Sequence, residues 1–96
     1  MVTLNDVRSR RDKILEIAAR HGASRVRIFG SVSRGTDTPS SDIDLLVYMA
    51  PDRSLLDRIA LIRDLEDLLH SSVDVVNERA LHPEIRDEVL AEAVEL

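Results

Sequence analysis

The sequence predicts an α/β (α+β) protein built on a small mixed three-stranded sheet packed by helices. Three observations carry this expectation. Residues 25–29, 42–49 and 73–76 are short, apolar stretches bounded by turn residues, as strands are. The segments around them repeat apolar residues at helical spacing. Connection lengths then set the strand directions. A full helix fits between the second and third strands, which implies a parallel, right-handed crossover. The stretch between the first and second strands is too short for a crossover helix, which implies antiparallel pairing.

In chain order, a first helix is expected over about residues 5–20. Val7, Ile14, Ile17 and Ala18 share one side and arginines cover the other. Thr3 or Asn5 caps its start, and Gly22 stands where a glycine ends a helix. The first strand alternates, with Val26 and Ile28 inward. Gly30 breaks it, Ser31 to Arg34 fit one helical turn closed by Gly35, and a polar loop follows to Ser41. The second strand is almost wholly apolar after its two acids, as a buried strand is. Ser54 with Asp57 forms a capping box for a second long helix, whose inward stripe is read as Leu55, Ile59, Ile62, Leu65 and Leu69. Val73, Val75 and Val76 mark the third strand. Pro83 opens a last helix with Ile85, Val89, Leu90, Ala93 and Val94 inward.

Composition limits the function classes. The 96 residues fit a single domain spanning 1–96 and one modest core. There is no cysteine, which excludes disulfides and thiolate–metal sites. No apolar run approaches the roughly 20 residues of a membrane span, and the start lacks a signal-peptide pattern. A cytoplasmic protein without membrane association is expected. The net charge of −5 argues against direct nucleic-acid binding. The charge is uneven: eight of the thirteen basic residues lie between Arg8 and Arg34.

The chemistry concentrates in three acids. Asp42 and Asp44, two apart on a strand, point to one face while Ile43 points to the other. Two like charges there repel, and a divalent cation between them removes that cost; carboxylate oxygens suit Mg²⁺. A parallel crossover brings Asp74, at the start of its strand, to the same sheet edge. The antiparallel first strand ends there too, at Gly30-Ser31. Gly30 admits a ligand close to the backbone. Ser31 adds a hydroxyl, the following amides present anion donors, and Arg34 adds a cation. A phosphate cradle beside an acid cluster equips a chain for phosphoryl or nucleotidyl transfer, with two Mg²⁺ ions expected.

Gly30-Ser31, ten residues, then Asp42-Ile43-Asp44 resembles the signature of the DNA polymerase β-like nucleotidyltransferase superfamily. The wider runs from Phe29 to Gly35 and from Ser41 to Val47, with Val73-Asp74-Val75-Val76 and the closing Leu81 to Arg86, look like its small stand-alone branch, the minimal nucleotidyltransferases (MNT). The resemblance implies the nucleotidyltransferase fold, Asp42, Asp44 and Asp74 as metal-binding and catalytic residues, and Gly30 and Ser31 on the triphosphate of ATP. Ser33 stands where many relatives have alanine. MNT proteins are often paired with a helical HEPN ribonuclease toxin, which they neutralise by transferring AMP to a hydroxyl, typically a tyrosine.

The expected function is therefore a Mg²⁺-dependent protein adenylyltransferase antitoxin, acting on a HEPN-type toxin. Two other readings are a non-catalytic antitoxin that neutralises by binding, and a nucleotidyltransferase acting on a small, aminoglycoside-like molecule. So short a chain leaves nothing to hold the acceptor, so the acceptor side must come from a partner or from a homodimer or hetero-oligomer. His21, His70 and His82 sit at helix ends and show no metal spacing. Ser41, Asp37 and Asp52 read as turn or capping residues, and Tyr48 as packed near a strand end.

Overall fold

A computed structural model describes residues 3–30 and 42–96. Its elements run α1 (Leu4–Ser9), α2 (Arg11–Arg20), β1 (Ala23–Phe29), β2 (Ile43–Met49), α3 (Leu55–Leu69), β3 (Val73–Asn77), a 3₁₀ turn (Glu78–Ala80), α4 (Pro83–Glu92) and β4 (Val94–Glu95). The expected turn from Ser31 to Arg34 and the loop to Ser41 lie outside the described residues.

The first helix is two helices. Thr3 and Asp6 form a reciprocal capping box, which starts α1 as expected. The Ser9 hydroxyl then donates to the Asp6 carbonyl at 2.7 Å, competing with the helical ladder. The Arg10 amide tightens onto the Val7 carbonyl, so α1 stops and α2 restarts one residue later. Val7, Ile14 and Ala18 are buried, and Ile17 packs against the core from a half-buried position.

The sheet has four strands rather than three, in the order β3-β2-β1-β4. β1 and β2 are antiparallel and β2 and β3 parallel, as the connection lengths required. The extra strand is the end of the chain. Val94 was expected inside a helix, but α4 stops at Glu92 and Val94 pairs with Ile28 as Glu95 pairs with Arg27. Two residues are too few to show an alternating pattern.

β1 starts at Ala23 and carries one extra residue against β2 between Ser24 and Arg27, a β-bulge. Arg25, at φ +53, sits in that insertion. The bulge breaks the alternation, and Arg27 is buried together with Val26 and Ile28.

α2 and α3 pack together and against the sheet. Their core is Ile14, Ile28, Ile43, Leu45, Val47, Leu61, Leu65, Leu69, Val73 and Val75, with smaller neighbours. The Ser54–Asp57 capping box forms, and the Ser54 amide donating to Asp57 at 2.8 Å holds that carboxyl below its usual range. The inward stripe of α3 differs from expectation. Leu61, Leu65 and Leu69 are buried, whereas Leu55 and Ile59 are 62% and 39% exposed. The cause is length: 15 residues of helix at about 1.5 Å each outrun the five residues of β3 at about 3.3 Å each, so the first turn extends past the strand that α3 precedes.

Pro83 opens α4 as expected, yet none of its residues is buried and Ile85 is 47% exposed. Ala93 follows the helix as its C-cap. Val94 does pack on the core, but from β4. Among the described residues no helix is long and apolar enough to cross a membrane.

Candidate active site

Strand register builds the site. Ile28, Leu45 and Val75 lie side by side across β1, β2 and β3 and face the core, at 0%, 0% and 1% exposure. One step along, the next row is Phe29, Asp44 and Asp74. Because side chains alternate along a strand, this row faces away from the core helices. The core takes the apolar row and leaves the acids on the opposite face. The Ile43 amide donates to the Ser72 carbonyl at 2.9 Å and fixes the entry of β2 beside β3.

Asp44 and Asp74 are thus direct register partners on neighbouring strands, which run about 4.8 Å apart. Asp74 is exposed and Asp44 half-buried. Asp42 lies one residue before β2 and is exposed. Among the described residues no three carboxylate or imidazole side chains close around a single point. The register pairs Asp44 with Asp74, and Asp42 stands one residue before the strand that carries Asp44. This donor set suits Mg²⁺, which demands oxygen ligands and commonly takes one or two carboxylates plus substrate phosphates rather than a complete protein cage.

Gly30 closes β1 at the same edge, with φ +78. A Cβ there would overlap the Asp44 carboxylate oxygen Oδ2. Glycine is required twice over, by its backbone conformation and by the carboxylate against it. Gly30→Ala is expected to cost about 1–2 kcal/mol from the left-handed conformation alone, with the overlap adding to it. Urea denaturation checks this, and a loss under about 0.5 kcal/mol, the size of an ordinary surface substitution, would contradict it. Ser31 and Arg34, the other predicted phosphate contacts, lie outside the described residues.

The remaining polar candidates have structural partners. The Arg79 guanidinium lies 5.8 Å from the centre of the Tyr48 ring, consistent with packing near a strand end. His82 Nδ1 accepts from the Glu84 amide and caps α4. His21 meets Asp64 on α3 at 2.6 Å, a cross-helix contact that its place at a helix end does not suggest. Sequence reasoning missed Phe29 as the third member of the acidic row. The antiparallel register across Asp44 was the available signal.

The family model of the nucleotidyltransferase domain matches residues 11–96. A Methanocaldococcus jannaschii protein with the provisional name protein adenylyltransferase is 42% identical over 84 residues, covering 88% of this chain and 90% of its own. A solved structure provisionally described as a minimal nucleotidyltransferase superposes with a TM-score of 0.89 at 49% identity, over 99% of this chain and 97% of the other. A crystal structure of a toxin–antitoxin with AMP-PNP superposes with a TM-score of 0.75 at 28% identity, over 88% of this chain and 69% of the other.

Proposed function

The chain belongs to the nucleotidyltransferase domain family, and we propose that it transfers AMP from ATP to a tyrosine hydroxyl of a HEPN-type toxin and so acts as an antitoxin. The observation that carries this reading is the pairing of Asp44 with Asp74 at the sheet edge where Gly30 ends β1. The name of the M. jannaschii relative supports protein as the acceptor. The toxin–antitoxin structure with AMP-PNP supports an adenine nucleotide and a toxin partner.

In this reading Asp42 and Asp44 would hold two Mg²⁺ ions, and Asp74 would complete the acceptor side. Bound there, such ions would supply charge neutralisation for the triphosphate and a lowered pKa for the acceptor hydroxyl. Gly30 keeps the backbone clear for the phosphates, and Ser31 and Arg34 contact them. The acceptor oxygen forms a bond to the α-phosphorus as the bond to the β-phosphate oxygen breaks. Pyrophosphate leaves, and a carboxylate oxygen of Asp74 takes the hydroxyl proton. Acid edge and phosphate cradle belong to this chain, while the acceptor comes from the partner.

Incubating the chain with its toxin partner, Mg²⁺ and labelled ATP is expected to label the partner, and Asp42→Ala is expected to prevent both labelling and neutralisation. Neutralisation by both proteins without label would make the chain an antitoxin that works by binding alone. Labelling of a small aminoglycoside-like molecule with no partner present would move the acceptor to that class.

A further inference from the structure

Among the described residues two surfaces stand exposed, the first of them at the sheet end away from Asp44 and Asp74. The first is a groove of about 180 Å³ where β2 and β3 end and α3 begins, lined by Met49, Asn77, Leu55, Arg53 and Arg58 among others. Met49 lies five positions along β2 from Asp44, about 16 Å at about 3.3 Å per residue. The Nε of Arg58 is buried without a hydrogen-bond partner. A buried polar group of that kind is costly unless something reaches it. Arg53 reaches Asp57 at 3.6 Å. Leu55, Leu56 and Ile59 stand exposed beside the groove, at 62%, 75% and 39%.

The second surface is α4. This ten-residue helix buries none of its side chains. Alone in water a helix of that length is marginal. It carries Glu84, Asp87, Glu88 and Glu92 against a single arginine, Arg86. Ile85 and Glu88, three residues apart, share a face. Among the described residues the exposed large apolar side chains are Leu55, Leu56, Ile59 and Ile85, all on these two surfaces.

We infer that two copies of this chain pair isologously, the acidic face of α4 in each lying in the arginine-lined groove at the start of α3 in the other. Each surface supplies what the other lacks. The groove offers Arg53 and Arg58, whose Nε has no partner, beside apolar side chains, and α4 offers carboxylates beside Ile85. A two-fold interface needs one self-complementary patch on each copy, and the two halves are close in the chain. α4 begins three residues after Ala80, a groove residue, within about 10 Å. This inference does not depend on the identity of the acceptor.

Sedimentation of the full chain tests it. The wild type is expected to form dimers in the micromolar range. Arg58→Glu and Glu88→Arg each place like charges across both symmetric contacts, and each is expected to raise the dimer dissociation constant at least ~10-fold. An equimolar mixture of the two variants restores opposite charges at both contacts and is expected to sediment as a dimer. Circular dichroism confirms that each variant is folded. A monomeric wild type, variants as dimeric as wild type, or a folded mixture that stays monomeric would each overturn the inference. So would a monomeric wild type whose Arg58→Glu variant loses association with a different protein.

Discussion

Asp74→Asn is expected to lower AMP transfer at least ~10³-fold while leaving the unliganded protein no less stable than the wild type. The activity loss follows from the proposed role of Asp74. Several kcal/mol of transition-state stabilisation by metal and base correspond to about three powers of ten in rate. The stability result follows from register. Asp74 is exposed and lies directly across from Asp44, and like charges in that position are destabilising. Asparagine keeps the shape and removes the repulsion. Mg²⁺ with ATP then separates the two proteins. At a hundred times its dissociation constant a ligand stabilises by about 2.7 kcal/mol, so the wild type melts higher with Mg²⁺ and ATP and the variant shows little of that rise. Thermal unfolding with and without Mg²⁺ and ATP, beside a transfer assay, reads both effects. Wild-type transfer rates in the variant would remove Asp74 from the chemistry.

Asp74 also shows what the sequence made legible. It stands 30 residues from Asp44, and no spacing rule joins them. The length of the α3 connection did, because a parallel crossover returns the chain to the same edge. Gly30 was legible for a related reason: an antiparallel β1 has to end where β2 begins. These inferences needed only strand directions. Inferences that needed regular periodicity fared worse. The bulge at Arg25 shifts the phase of β1, and an arginine at φ +53 gives no warning of it as a glycine would. In α3 apolar residues occupy more than one face; the stripe read from Leu55 holds at Ile62, Leu65 and Leu69, while Leu55 and Ile59 are exposed and Leu61 is buried, where the helix runs beyond the end of β3. In α4 the apolar residues suggested a buried face, yet none of them is fully buried and Val89 and Leu90 are half-buried.

A pair with no sequence signature underlies the second large expected effect. Arg27 and Glu78, 51 residues apart, are both buried, at 8% and 7% side-chain exposure, and Arg27 Nη2 donates to Glu78 Oε1 at 2.7 Å. Arg27 Nε also donates to the Arg25 carbonyl at 2.9 Å, so the bulge supplies part of the guanidinium's partners. The pair links β1 to the turn that follows β3, across the intervening β2. Removing one member of a buried pair leaves an uncompensated charge and costs about 3–5 kcal/mol. A domain of this size has about 5–14 kcal/mol in total. Glu78→Ala is therefore expected to lower the urea midpoint sharply, and the protein is expected to be partly unfolded at physiological temperature. The exposed Arg25, at 3.8 Å from the same carboxylate, is expected to contribute little: Arg25→Ala should stay within about 1 kcal/mol of wild type through that contact. Replacing both members, as Arg27→Met with Glu78→Leu, removes the stranded charge and is expected to recover most of the loss. If Glu78→Ala unfolded at the wild-type urea concentration, the pair would be a surface contact in solution. If the double variant were as unstable as Glu78→Ala, the loss would come from packing at these positions rather than from the unpaired guanidinium.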